Sequence, residues 1–142
     1  MKEIITEISI NTSPEKVWKI LTDFENQSSW NPFITSISGE KKVGGKLSII
    51  VQPGDGGEMK FKPTVLVLSE NKELRWKGKL LISGLFAGEH YFILNSTDHN
   101  TTQLIHGEKF SGILVGLFGS MLNKTKQGFE LMNSALKKEC EK

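Results

Sequence analysis

The sequence has little of several features that mark large classes of protein. It contains one cysteine, Cys140, so no disulfide can form within the chain. Its longest apolar run, residues 113–118, is far too short for a membrane span. The 18 basic and 16 acidic residues give a net charge of +2 and form no long block of one sign. Electrostatics therefore gives no reason to expect a nucleic-acid partner.

Two sequence signals of function and location are also missing. The glycine-rich stretch 53–58 lacks the Lys-Ser/Thr ending of a phosphate-binding loop and the helix that should follow it. The first residues interrupt their apolar positions with charges and contain no signal-peptide core. We therefore expect a soluble protein of the cytoplasm with no stable membrane insertion. No motif implies a cofactor.

The C-terminal stretch "KKECEK" mixes both signs of charge and predicts a fraying, solvated helix end. Within it, Glu139 and Glu141 should raise the pKa of the Cys140 thiol, because a negative neighbour disfavours the thiolate. We therefore do not expect Cys140 to act as a nucleophile.

The chain does show a clear order of elements, and its 142 residues suffice for one domain, 1–142, with a buried core. Residues 3–10 alternate between apolar and polar, which predicts a half-buried strand. Ser13 and Pro14 mark the start of a first helix. A second short helix must end before Pro32, since a residue that precedes proline disfavours helix.

Apolar residues spaced by three and four from Leu122 to Leu136 predict a long C-terminal helix. Gly128 lies inside it and costs about 1 kcal/mol against alanine, so a close packing contact or a slight bend should explain it. Residues 35–112 show one strand pattern after another, about six in all, which makes about seven strands with the first. Pro63 cannot donate to a ladder, so its strand should have an edge or a bulge there.

An antiparallel sheet of this size has one face to cover, and a single long helix covers it by lying in its curve. The sequence thus predicts an α+β fold. A curved antiparallel sheet of about seven strands wraps around a long C-terminal helix, and two short helices follow the first strand. Such an arrangement leaves space between the helix and the sheet.

The last predicted strand carries polar residues on the face that should point inward. In residues 101–112 the alternation puts His106 and Glu108 on an otherwise apolar face. If Leu94 of the preceding strand pairs with Leu104, then His90 lies opposite Glu108. A shift by two would place His90 opposite His106 instead. In both registers the three polar side chains are neighbours, because facing residues of an antiparallel pair are about 5 Å apart.

The strand before this hairpin adds aromatic surface to the same wall. If the turn between these strands lies near residues 83–84, counting outward from it places Trp76 opposite Phe92 and Gly78 opposite His90. The inner wall therefore combines aromatic and aliphatic surface with a cluster of two histidines and a carboxylate. Ligand cavities have this composition, with a few polar groups that fix orientation.

Four interpretations of the cluster of His90, His106 and Glu108 stay open. In the first, the side chains hydrogen-bond one another in a wet cavity and do nothing more, since a buried carboxylate needs a partner. In the second, they anchor the polar end of a ligand. In the third, they act as general acid and base, for which histidine has a suitable pKa. In the fourth, they bind a metal, although no spacing signature supports this.

Several stretches together resemble a known superfamily. These are "SPEKVWKILTDFENQSSWNPF", "LRWKGKL", "GLFAGEHYFIL" and "EKFSGIL". The chain resembles the START-like superfamily, also called SRPBCC, which has the helix-grip fold, and its opening is similar to the bacterial branch grouped with polyketide cyclases and dehydrases. The resemblance covers nearly the whole chain. It implies a deep, mostly apolar cavity for lipids, polyketides or other hydrophobic molecules, and some members are cyclases.

We expect a small hydrophobic molecule to bind, and to be carried if the protein transports it, between the sheet and the C-terminal helix. Its polar end should contact His90, His106 and Glu108, and no metal is expected. The body of the ligand should contact apolar side chains, namely Trp30, Phe33, Trp76, Phe92, Phe110, Leu122, Phe129 and Met132. The stretch 30–33 belongs to the cavity mouth in this interpretation, and is a helix-to-strand turn with two core aromatics in the other.

Two alternative functions remain. One is an enzyme of the polyketide cyclase or dehydratase kind, with His90, His106 and Glu108 as its proton-transfer groups. The other is a ligand-free interaction module. The glycine-punctuated stretch "GILVGLFGSML" is either an apolar flap that admits a ligand or touches a membrane, or the end of the last strand and an ordinary connection.

Overall fold

The computed structural model describes residues 2–53, 57–79, 87–98, 100–112 and 119–142. The described chain forms eight strands, two α-helices and one 3-10 helix. In chain order they are β1 (Lys2–Ile10), α1 (Pro14–Leu21), the 3-10 helix (Phe24–Ser29), β2 (Ile34–Gly39), β3 (Leu47–Val51), β4 (Met59–Phe61), β5 (Thr64–Ser69), β6 (Glu73–Lys79), β7 (Ala87–Asp98), β8 (Thr101–Ser111) and α2 (Gly119–Cys140).

The strands form two antiparallel sheets rather than the one sheet that the sequence predicted. The larger has the order β1-β8-β7-β6-β5 and the smaller the order β2-β3-β4. The predicted strand 59–69 is divided at Lys62 and Pro63 into β4 and β5, as expected for a residue without a backbone donor. The Pro63 carbonyl still accepts a 2.9 Å hydrogen bond from the Leu47 N–H, so the chain continues from one sheet to the other.

The N-terminal helix begins as predicted and leads into a tight turn. The Ser13 hydroxyl accepts a hydrogen bond from the Lys16 N–H and caps α1. After the 3-10 helix, the Asn31 side-chain oxygen accepts the N–H groups of Phe33 and Ile34, each at 2.9 Å. This turn directs Phe33 into the core, whereas Trp30 stays partly exposed.

Helix α2 covers the larger sheet and approaches it closely. A Cβ on Gly128 would overlap the ring of Phe33, so the predicted packing contact explains this glycine. Phe33 also meets Phe129 edge-on, with ring centroids 5.4 Å apart. No described helix is long and apolar enough to span a bilayer.

The prediction of a fraying C-terminus is wrong, because α2 continues to Cys140, whereas Lys138, Glu141 and Lys142 are solvent-exposed as expected. Cys140 is fully buried at the end of α2, and the Asn11 N–H donates a 2.8 Å hydrogen bond to the Glu141 carboxylate. Lys137 Nζ donates to the carbonyl of Ser9 at 2.8 Å. Lys137 and Glu141 therefore tie the helix end to β1 and the segment after it through hydrogen bonds at the surface.

The register of the hairpin β7–β8 is the first of the two predicted, with Leu94 opposite Leu104 and His90 opposite Glu108. The predicted register of β6 is wrong by two residues, because Trp76 pairs with His90 and not with Phe92. The error leaves Trp76 on the correct face, since side chains alternate with a period of two. The predicted turn at 83–84 and most of the apolar stretch 112–122 lie outside the described residues.

Candidate functional site

A narrow apolar cavity lies between the smaller sheet, the start of α2 and the inner ends of β6, β7 and β8. Its volume is about 40 Å³, which is close to the space of one water molecule in the liquid. His90 and Glu108 are the ionisable groups in its wall. Its described lining consists of Phe33, Ile34, Ile49, Val51, Pro53, Met59, Phe61, Trp76, His90, Glu108, Phe110, Met121 and Thr125.

The structure brings about half of the predicted ligand-binding residues to this cavity. Those in its lining are Phe33, Trp76, His90, Glu108 and Phe110. His106 lies behind His90 and is fully buried. The remaining predicted residues do not line it, namely Trp30, Phe92, Leu122, Phe129 and Met132. Trp30 instead borders a surface groove beside α1, and Leu122 borders another beside β1.

The two histidines belong to a hydrogen-bonded chain that crosses the core. His90 Nε2 and His106 Nε2 are 2.7 Å apart, and His106 Nδ1 is 2.8 Å from Asn133 Oδ1 on α2. The Asn133 side-chain N–H donates to the Thr6 hydroxyl at 2.8 Å. That hydroxyl donates to the backbone carbonyl of His106 at 2.7 Å. This buried hydrogen-bond network therefore connects β1, β8, β7 and α2.

Aromatic rings hold both imidazoles in place. The His106 ring stacks on Phe129 with centroids 4.1 Å apart and an interplanar angle of 13°, and on Phe92 at 4.3 Å. The His90 ring lies 4.9 Å from the Trp76 ring. Because these rings pack against both imidazoles, a change of ring orientation would require neighbouring side chains to move.

The pKa values of the cluster favour neutral groups. Burial, and then the neighbouring His106, lowers the pKa of His90 well below its ordinary value. Burial also lowers the pKa of His106 to about 3 and raises that of Glu108 to about 8. His90 Nδ1 and Glu108 Oε1 are 3.6 Å apart. Because desolvation disfavours charge on both, we assign them as a neutral acid beside a neutral imidazole and not as an ion pair.

The described residues contain no group of three His, Cys, Asp or Glu side chains arranged to hold a metal ion. The geometry of the histidines gives the reason. Their Nε2 atoms face each other, and His106 Nδ1 is already bonded to Asn133. Of the four ring nitrogens of His90 and His106, Nδ1 of His90 then remains, beside the Glu108 carboxyl.

A much larger cleft lies on the outer side of the sheets and has the opposite character. Its volume is about 680 Å³, and its described lining is Lys46, Lys62, Thr64, Lys77, Lys79, Ala87, Ser111 and Gly112. Four ammonium groups line it, and Ala87 is the one apolar side chain in its described lining, which makes it unsuited to a hydrophobic molecule. The narrow inner cavity is therefore the candidate site for such a ligand.

Two residues of the buried hydrogen-bond network, Thr6 and Asn133, were not predicted from the sequence. Thr6 had a signal, because it is the polar member of the apolar face of β1. Asn133 had a weaker one, since it follows Phe129 by four residues on α2 and shares its buried face. No spacing rule relates the first strand to the last helix, so their contact came only from the structure.

Known structures share this architecture. The Zhui aromatase/cyclase of Streptomyces sp. R1128 matches with a TM-score of 0.81 and 13% identity, covering 99% of this chain and 93% of that one. A START superfamily protein of Mycobacterium smegmatis matches with a TM-score of 0.78 and 20% identity, covering 98% and 97%. These matches confirm the START-like helix-grip fold. No curated protein matches the sequence closely.

A model of the family described as "Polyketide cyclase / dehydrase and lipid transport" matches residues 1–141. The match extends over both sheets and both α-helices, including the strands and the helix that form the cavity. The chain therefore belongs to the polyketide cyclase/dehydrase and lipid-transport family.

Proposed function

We propose that the protein binds a small, mostly apolar molecule in the inner cavity, with the polar end of that molecule at His90 and Glu108. The observation that carries the proposal is the composition of the cavity wall. Two buried polar groups lie together at one place in a lining that is otherwise almost entirely apolar. Apolar walls supply binding energy and a few polar groups set orientation.

The family supports this proposal, because its description joins cyclisation, dehydration and lipid transport. All three activities handle molecules with large apolar surfaces. Much of the apolar wall comes from the smaller sheet, and Trp76 and Phe110 of the larger sheet complete it beside the polar pair.

The cavity must enlarge to admit such a molecule. Its volume of about 40 Å³ compares with roughly 300 Å³ or more for typical small-molecule sites. Met59 and Met121 line it, and methionine side chains change shape at little cost. We therefore expect ligand entry to displace these side chains and to move α2 relative to the smaller sheet.

Native mass spectrometry of the gently purified protein, followed by denaturing extraction, tests for a bound molecule. A stoichiometric apolar compound supports the proposal and gives its chemical class. A clean unliganded mass contradicts tight binding of any compound that the expression host supplies.

A larger side chain in the cavity tests where the ligand binds, and the same substitution on the opposite face of the strand is the control. Val51 lines the cavity, and Ile50 on the same strand faces the other way and is half-buried. We expect Val51→Phe to abolish binding of naphthol, used here as a small apolar probe, and Ile50→Phe to leave it unchanged. Equal binding by both variants would place the probe elsewhere and contradict the proposed site.

The polar pair also supports a second candidate function, proton transfer in a cyclase or dehydratase reaction. A neutral carboxylic acid next to a neutral imidazole supplies both a proton donor and a proton acceptor. His90→Ala separates the two functions. A binding protein keeps its ligand at altered affinity, whereas an enzyme loses turnover and still binds its substrate.

A further inference from the structure

In the buried hydrogen-bond network the donor and acceptor of every bond are determined, and this decides which ligand group the cavity can recognise. We propose that Thr6 and Asn133 are positioning residues that fix the proton positions of both histidines, so that His90 offers a bare Nδ1 beside Glu108 and the pair receives a neutral hydroxyl group. This inference rests on the proposed function for its ligand. Its statement about the protons stands on the protein alone.

The direction starts at a backbone carbonyl. A carbonyl oxygen only accepts, so the single proton of the Thr6 hydroxyl is used in its 2.7 Å bond to the His106 carbonyl. The Thr6 oxygen must then accept from Asn133, which places the Asn133 N–H group toward Thr6 at 2.8 Å. The Asn133 side-chain oxygen consequently faces His106 as an acceptor.

The same logic continues through the rings. An acceptor at 2.8 Å requires a proton on His106 Nδ1, so in the neutral ring His106 Nε2 carries a lone pair. His90 Nε2 lies 2.7 Å from that lone pair and must carry the proton between them. His90 Nδ1 is therefore unprotonated. It points to the Glu108 carboxyl, 3.6 Å away.

The last gap is where a ligand fits. At 3.6 Å the Glu108 oxygen and His90 Nδ1 are too far apart for a good direct hydrogen bond, and both residues line the cavity. A ligand hydroxyl can accept a hydrogen bond from the Glu108 acid and donate one to His90 Nδ1. A carboxylate cannot donate to His90 and would bring an unpaired charge into an apolar site.

The proton positions can be read directly by NMR. Long-range proton–nitrogen spectra of the imidazole rings distinguish the two neutral tautomers. We expect His106 to carry its proton on Nδ1 and His90 on Nε2, without titration near neutral pH. The opposite tautomers, or protonated rings at neutral pH, would overturn the proposal.

Thr6→Val tests whether Thr6 sets the direction. Without the hydroxyl, the Asn133 amide can turn and donate to His106 Nδ1, which moves the proton of each histidine to its other nitrogen. We expect the variant to show the reversed tautomers or a mixture. Thr102→Val is the matched control. Thr102 is also buried, and its hydroxyl donates to the carbonyl of Thr12, which is not part of the buried hydrogen-bond network. Unchanged tautomers in a folded Thr6→Val protein would show that Thr6 does not position the rings.

The ligand preference is tested with naphthol, naphthoate and naphthalene, which share one apolar body. At neutral pH we expect naphthol to bind about tenfold or more tightly than either of the others, as one well-made hydrogen bond allows. The preference should shrink in Thr6→Val and persist in Thr102→Val. Equal or tighter binding of naphthoate would overturn the hydroxyl preference. If no probe binds, the proposed function and this preference both fail for such molecules, while the NMR spectra still decide the positioning role.

Discussion

The two faces of the hairpin β7–β8 use similar residue types in opposite ways. On the inner face, His90, His106 and Glu108 are buried; the two histidines are hydrogen-bonded to each other, and Glu108 lies 3.6 Å from His90 Nδ1. On the outer face, Glu89 is paired with Arg75 at 2.7 Å, one position along β7 from His90. The same strand therefore carries a neutral polar network on one side and a charged one on the other.

The outer network depends on an aromatic ring lying on the sheet. Tyr91 donates a 2.6 Å hydrogen bond to the Glu3 carboxylate, and Arg75 lies 4.7 Å from the ring centroid. Burial, and then Glu3, raises the pKa of Tyr91. Partial burial alone would lower the pKa of Arg75, but hydrogen bonds to Glu73 and Glu89 outweigh it and raise the value.

The difference shows that solvent access, and not residue type, decides how polar groups are held here. The outer charges keep contact with water, so they remain ionised at a small cost. The inner groups have lost that contact, so their neutral forms have the lower free energy, and the histidines are stabilised further by hydrogen bonds. This comparison gives predictions for both faces.

The largest effect is expected on the inner face. His106→Ala leaves a void between Phe92 and Phe129 and removes the partner of His90 and Asn133. We expect the free energy of unfolding to fall by about 3–5 kcal/mol in denaturant titrations. Glu89→Ala on the outer face should cost about 1 kcal/mol or less. Similar losses in both variants would contradict the comparison.

The next effect tests the ring on the outer face. A Cβ on Gly107 would overlap Tyr91 and lie 2.5 Å from the Ile4 carbonyl oxygen. Gly107→Ala should therefore lower the free energy of unfolding by about 2–3 kcal/mol. Gly57→Ala, where a Cβ would meet nothing within 4 Å, is the control. A neutral Gly107→Ala would mean that Tyr91 and β1 shift easily.

A smaller effect is the pH dependence of the free energy of unfolding that the buried Glu108 of the inner face should cause. The pKa of Glu108 is raised by burial from 4.5 to about 8, so the folded state holds a proton that the unfolded state releases above about 4.5. The contribution of Glu108 to stability is therefore complete at low pH and lost as the pH rises toward about 8.

Glu108→Gln removes this dependence. We expect the variant to gain about 1–3 kcal/mol over the natural sequence between about pH 5 and pH 8. Glu7→Gln, on an exposed residue of β1, controls for the loss of one negative charge. A constant difference across this range would mean that Glu108 is ionised in the folded protein.

The smallest effect concerns the outer ion pairs. Arg75→Gln should lower the free energy of unfolding by about 1 kcal/mol or less, because these pairs are partly exposed. High salt should reduce the loss further by screening. A large loss that is insensitive to salt would show that packing on Tyr91, rather than charge, stabilises this face.

The sequence predicted most of the elements because local chemistry sets them. The cap at Ser13, the break at Pro63 and the alternation in β1 and β8 all appear where they were expected. The polar cluster was also predicted, because a short hairpin leaves few registers for His90 and Glu108.

What the sequence did not predict depends on distant contacts. The register of β6 was wrong by two residues because its partner follows after a connection of unknown length. The buried state of Cys140 depends on packing against other elements. The small volume of the cavity depends on how the two sheets and α2 fit together, which no local pattern encodes.

The buried position of Cys140 has a practical consequence for studying this fold. It is the one thiol of the chain, and burial is the main reason that its pKa rises to about 12. A thiol reagent can react with it only after the end of α2 separates from its neighbours, because the thiolate is the reactive form. The labelling rate of the unmodified protein therefore measures how often the C-terminal helix opens, with no engineered probe.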